Sequence, residues 1–176
     1  MNDPVFQGFL QRQLDEGLAL AAASDILELQ PMGRPLPQHF LAAFKCRGVV
    51  QTRGDQIGEV GRCVVGIFFP PDYLRRALVP EVVTWLEPLN VFHPNIRPPF
   101  VCVGRLEPGT GLVDLLFQVF EIFVYRNFNP REDDCLNQRA CAWARNNQHR
   151  FPIDPRPLKR LVAGAPPAGV LQGGVA

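Results

Sequence analysis

Residues 90–106 read NVFHPNIRPPFVCVGRL. Pro94, Pro98 and Pro99 fix φ and remove backbone donors, so this stretch is neither a helix nor a central strand but a stiff loop. It carries a carboxamide, Asn95, a short way ahead of a thiol, Cys102. A thiol attacks carbonyl carbon well and leaves well, which suits it to carry an acyl group. The tetrahedral intermediate then needs a donor for its oxygen, and the uncharged N–H pair of Asn95 is such a donor. His93 either braces the turn or serves as a base. A base must lie within hydrogen-bond reach of the thiol, so spacing alone leaves both roles open.

Upstream of the loop, Phe6, Phe9, Leu10, Leu14, Leu18 and Ala21 recur at three- and four-residue steps. They predict an amphipathic helix over roughly the first 23 residues, with Asp3 as N-cap and Pro4 in its first turn. Four strand candidates follow: DILELQP, HFLAAFKCRGVVQT, EVGRCVVGIFF and VPEVVTWLEP. Short polar loops separate them, which predicts an antiparallel meander. Cys46 and Cys63 fall inside these strands and read as core filler.

Downstream, GLVDLLFQVFEIFVYR is apolar nearly all round, with Asp114, Gln118 and Glu121 on one thin stripe. That pattern predicts a largely buried central helix, with Thr110 as its N-cap. An acidic loop, Glu132-Asp133-Asp134, leads to a further helix from Asn137 to about Gln148. From Pro152 onward the chain is rich in Pro, Gly and Ala without periodicity. The expected organisation is one catalytic domain over 1–151 and a flexible tail over 152–176. The fold class is α+β, with helices covering one face of an antiparallel sheet.

Composition narrows the function. The 176 residues are 47% hydrophobic and 20% charged, with a formal net charge of +1. A nucleic-acid binder carries a basic stripe to neutralise phosphates, and this chain shows only basic pairs such as Arg75-Arg76. No run approaches the roughly 18 apolar residues of a membrane span. The N-terminus lacks the charged and apolar regions of a secretory signal. Five scattered cysteines, an odd number, fit reduced thiols in a cytoplasmic protein. There is no C-x-x-C pair and no glycine-rich phosphate loop, so neither metal nor cofactor is expected.

The order of elements, together with FHPNI followed by a cysteine, resembles the ubiquitin-conjugating enzyme family. GIFFPPDYL resembles the family's Phe-Pro-x-x-Tyr segment, and NFNPREDDCLNQ its Asn-Pro-x-x-Asp-x-Leu-Asn stretch. The resemblance covers roughly residues 3 to 150. It implies a ubiquitin-conjugating fold. Cys102 would take a ubiquitin-like modifier from an activating enzyme as a thioester and pass it to an amine on a protein target. Asn95 would steady the oxyanion or the loop, and His93 and Pro94 would support it. Asp133 or Asp134 would form an acidic gate beside the thiol.

The chain also departs from the family. Pro99 stands where the family has glycine, Val103-Gly104 replace Leu-Asp after the cysteine, and the Trp-Ser-Pro element is missing. Such a divergent core most resembles bacterial conjugating enzymes of antiphage defence operons. Two alternatives compete with a transferase: an inactive scaffold that binds ubiquitin-like proteins, and a cysteine peptidase pairing Cys102 with His93 or His149.

Overall fold

In the computed structural model the described residues are 3–129, 131 and 133–160, with residue 55 described by its backbone alone. Helix α1 (Pro4–Ala22) starts where expected. The Asp3 carboxylate accepts the N–H groups of Val5 and Phe6, which no helical carbonyl can reach. Its inner face holds Phe6, Phe9, Leu10 and Leu20, together with one polar residue, Gln13.

Strands β1 (Leu27–Met32) and β2 (His39–Phe44) pair antiparallel. The next two expected strands each break in two. The chain bends at residues 45–47, so Cys46 is buried in a bend and not in a strand. Here the Arg47 N–H is taken by the Asp154 carboxylate (2.9 Å), and no ladder continues. Strands β3 (Gly48–Gln51) and β4 (Ile57–Val60) then form their own hairpin. Gly48 starts it, because a Cβ there would lie 2.1 Å from the Phe123 ring.

Strand β5 (Cys63–Phe68) rejoins β2, with Phe44 opposite Cys63 and Phe40 opposite Ile67. The fourth candidate opens with one helical turn, α2 (Val79–Val82), before strand β6 (Val83–Glu87). Pro80 suits that turn, since its missing N–H falls where a helix leaves donors unused. The result is a four-stranded antiparallel sheet in the order β1-β2-β5-β6, with the β3–β4 hairpin inserted.

Strands β7 (Ile96–Arg97) and β8 (Phe100–Val101) make a minimal hairpin within the prolyl loop. Helix α3 (Leu112–Phe123) lies under the sheet and buries Leu112, Leu115, Leu116, Val119, Phe120, Ile122 and Phe123. Its cap differs from the expected one. Gly111 occupies the cap position, and Thr110 instead bonds the Glu107 carbonyl. The Leu112 N–H is met by Gln13 Oε1 from α1 (2.6 Å). A buried side chain of one helix therefore caps the other, which ties α1 to α3. Helix α4 (Gln138–Asn146) is capped by Asn137, whose side chain accepts the Ala140 N–H.

The mixed α+β class, the N-terminal helix and the further helices match the expectation. The boundary at 151 does not. Residues 152–160 pack as a strap, burying Ile153, Asp154 and Leu158. The Ile153 N–H reaches the Val124 carbonyl (2.9 Å), and the Arg160 N–H reaches that of Ala23 (2.9 Å). Prolines at 152, 155 and 157 erase periodicity, but each residue between them still offers a side chain for packing. The rest of the expected tail, 161–176, lies outside the described residues.

Candidate functional site

The prolyl loop is anchored at its start to β3. The Phe92 N–H bonds the Val49 carbonyl (2.8 Å), and Asn90 Nδ2 bonds that of Gln51 (2.8 Å). A small aromatic core lies beneath: Phe92, Tyr125, Trp143, Phe128 and Phe151 gather with Ala140, Ala144 and Ile153. Tyr125 stacks on Phe151 at 4.5 Å, and its hydroxyl donates to the Phe92 carbonyl.

His93 is sealed into this core, its ring 4.1 Å from that of Tyr125. Its Nδ1 accepts the Asn95 N–H (3.0 Å), which leaves the proton on Nε2. Nε2 has no completed hydrogen bond. Burial pushes the His93 pKa down to about 3, and the nearby Ile122 carbonyl offsets this only in part. His93 is therefore a neutral brace. The neighbouring Pro94 also supports the loop, since its carbonyl receives the Leu136 N–H (2.9 Å) and the Asn137 N–H (3.2 Å).

Asn95 and Cys102 hold each other. The Cys102 N–H bonds the Asn95 carbonyl (2.8 Å), and Asn95 Nδ2 bonds the Cys102 carbonyl (3.0 Å). The carboxamide orientation is fixed from behind, because Oδ1 accepts the Asn129 N–H (2.8 Å). With Pro99 in place of the family's glycine, the Asn95 side chain is still in contact with the cysteine residue itself.

Asn129 extends the chain of contacts. Its Nδ2 reaches the Asp134 carbonyl (3.1 Å) and carboxylate (3.3 Å). In the sequence Asn129 stands only as part of the Asn-Pro-x-x-Asp-x-Leu-Asn resemblance, with no role of its own. The Asn-Pro dipeptide marks a turn, but no residue type singles out the backbone N–H that holds Asn95. Of the two acidic-gate candidates, Asp134 joins this network. Asp133 faces solvent and pairs with Arg131 (3.4 Å). Glu132 lies outside the described residues.

The five thiols separate by environment. Cys46 and Cys63 are fully buried; burial pushes the first up to about 12 and the second well above its ordinary value. Such thiols yield little thiolate and are inert. Cys141 is buried, with its Sγ 3.5 Å from the Asn129 carbonyl. Cys102 and Cys135 are half-buried. Cys102 has a carboxamide, that of Asn95, bonded to its own backbone carbonyl. His149 sits exposed on the turn after α4. Among the described residues no three His, Cys, Asp or Glu side chains converge on a metal position, and no helix is long and apolar enough to cross a membrane. No family model matches the chain, and no curated protein is significantly similar to it.

Proposed function

We propose that this protein is a ubiquitin-conjugating-enzyme-like transferase, with Cys102 as its acyl carrier. The observation that supports this most is the mutual bonding of Asn95 and Cys102, with the carboxamide fixed by the Asn129 backbone. A carboxamide fixed against the backbone of a half-buried cysteine suits a thioester carrier. In the first step Cys102 Sγ attacks the thioester carbonyl that links a ubiquitin-like modifier to its activating enzyme. A new C–S bond forms, the old one breaks, and the activating enzyme's thiol departs with the proton. In the second, a target amine attacks the carbonyl. A C–N bond forms, the Cys102 C–S bond breaks, and the amine's proton passes to Asp134 or solvent.

The first transfer exchanges one thioester for another and is close to energetically even, so orientation matters more than a strong base. Neutral, buried His93 fits that economy and counts against a peptidase, which needs a base poised at the thiol. The bacterial antiphage setting belongs to the same proposal and rests on the divergent sequence. One observation favours an inactive scaffold: both polar atoms of the Asn95 side chain already bond backbone groups.

A non-reducing gel with ATP, candidate modifiers and their activating enzymes decides between the readings. A transferase gives an ATP-dependent adduct that reductant removes, and Cys102→Ser converts it to a reductant-resistant ester. An adduct that persists in Cys102→Ala refutes the assignment.

A further inference from the structure

Both backbone bonds of Phe92, the residue just ahead of His93, lead to parts of the chain that the strap at 152–160 holds. The Phe92 N–H donates to the Val49 carbonyl of β3 (2.8 Å), and its carbonyl accepts the Tyr125 hydroxyl. On the β3 side, the Asp154 carboxylate takes the Arg47 N–H (2.9 Å), directly before the first residue of β3. Arg156 Nη2 donates to the Lys45 carbonyl (2.8 Å), so the strap fixes both ends of the bend from which β3 starts. On the Tyr125 side, the Ile153 N–H donates to the Val124 carbonyl (2.9 Å). Phe151, just before the strap, stacks on the Tyr125 ring at 4.5 Å.

The backbone of Tyr125 is a second, independent observation. Among the described residues Tyr125 alone, glycines aside, has a positive φ, 62°. That left-handed conformation is unfavourable for a bulky side chain and persists only where the surroundings fix it. Here Phe151 stacks on the ring, and His93 packs 4.1 Å from the same ring. His93 Nδ1 in turn accepts the Asn95 N–H (3.0 Å), and Asn95 Nδ2 bonds the Cys102 carbonyl (3.0 Å). Two routes therefore run from the strap to the thiol's loop, one through β3 and one through Tyr125, and they meet at Phe92 and His93.

The geometry points to Asp154 and Phe151 as positioning residues for Cys102: each holds one anchor of the loop, so the strap sets where the Asn95 carboxamide and the thiol stand. A strap that served packing alone would need only apolar side chains, and Ile153 and Leu158 supply those. Asp154 is as deeply buried, yet it is a carboxylate, and a buried ion pair is weak evidence for stability. What it supplies is direction. Its bond to the Arg47 N–H decides where the chain leaves the sheet and β3 begins, and β3 carries the Val49 carbonyl that receives Phe92. The placement of the loop is independent of the Cys102 thioester reading; only its consequence for acyl transfer rests on that reading.

The test uses the full chain as wild type, Asp154→Ala, Asp154→Asn, Phe151→Leu and Leu20→Ala. The last is a core truncation in α1 that controls for lost stability. Site-resolved iodoacetamide labelling in native buffer reads the loop through Cys102 and global opening through Cys63, which is fully buried in the sheet. Asp154→Ala and Phe151→Leu are expected to label Cys102 about fivefold faster, as when one net hydrogen bond is lost, with Cys63 still protected. Asp154→Asn keeps an acceptor for the Arg47 N–H and should restore most of the wild-type rate. Cys102 labelling that stays at the wild-type rate overturns the proposal, and so does a rise shared with Cys63 or matched by Leu20→Ala. Where the variants fold poorly, hydrogen exchange in the wild type decides. The amides of Arg47, Phe92, Asn95 and Ile153 should open as one unit, and separate opening of Arg47 and Ile153 contradicts the proposal. A loop that loosens as expected in a chain that never forms a thioester loses the proposed function and keeps this inference. A chain that charges on Cys102, but labels at the wild-type rate in Asp154→Ala, loses the inference and keeps the function.

Discussion

His93 and Asp154 are both buried, 1% and 2% exposed, yet the protein treats their charge in opposite ways. Among the described residues His93 meets the Asn95 N–H, the Tyr125 ring and a nearby carbonyl, and no carboxylate. Desolvation wins, and the imidazole stays neutral. Around Asp154 four donor contacts converge: the Arg47 N–H, the Arg156 N–H, and Arg156 Nε and Nη2 at 3.0 and 2.7 Å. Those bonds outweigh burial and hold the carboxyl well below its usual range. Charge is thus excluded beneath the thiol's loop, whereas at the strap it clips residues 152–160 to the bend at 45–47.

The largest way to break this contrast is Asp154→Ala. It strands the Arg47 N–H and takes from the Arg156 guanidinium its carboxylate partner, leaving the bond to the Lys45 carbonyl, and removing one partner of a buried pair costs about 3 kcal/mol. Arg156 is half exposed, which keeps the cost at the low end. Equilibrium urea unfolding reads it, and a loss under about 1 kcal/mol would mean the clip is marginal, no stronger than an exposed ion pair.

The next test uses pH. His93 has a folded pKa below its unfolded value, so its stabilising contribution is present above about 6.5 and is lost as pH falls toward 3. Asp154 behaves in the same sense in a lower window, below the ordinary carboxylate value near 3.8. Acid should therefore weaken the fold first through His93, by about 2 kcal/mol between pH 7 and pH 5. His93→Gln should remove that early loss and leave the later one. Matching pH profiles for the two proteins would contradict a neutral, buried imidazole.

The smallest expected effect is Tyr125→Phe. It deletes the hydroxyl that bonds the Phe92 carbonyl but keeps the ring against His93. A loss of about 1 kcal/mol is expected, with a faster alkylation of Cys102 as the loop loosens. Unfolding and iodoacetamide labelling, run side by side, measure both.

Much of the frame could be read from residues alone, because periodicity reports directly on burial. The first half of the α1 stripe, the apolar α3 and the Asn137 cap are cases where local pattern and tertiary structure agree, whereas the expected Leu18 is 44% exposed and Gln13, Gly17 and Leu20 are buried instead. The strand breaks at 45–47 and near residue 82 were hidden, since apolar runs look alike whether they continue, bend or turn once as helix. The cause of the first lies far along the chain, where Asp154 takes the Arg47 N–H and Phe123 excludes any side chain at Gly48, whereas the second is a single turn begun at Pro80. At the site, His93, Asn95 and Cys102 stood out by residue type and by the prolines between them. Asn129 did not, because it acts on Asn95 through its backbone N–H, which every residue but proline possesses. Asp134 could be separated from Asp133 only by seeing which one Asn129 faces.

The central claim is that Cys102 carries an acyl group without help from a neighbouring histidine. Its most direct test is the pH dependence of single-turnover discharge from the isolated thioester to free lysine, in the wild type, His93→Gln and His149→Gln. The account predicts no inflection in the histidine range and profiles of the same shape in all three proteins. An inflection between about pH 6 and 7 that disappears in either variant would contradict it, by revealing a histidine base.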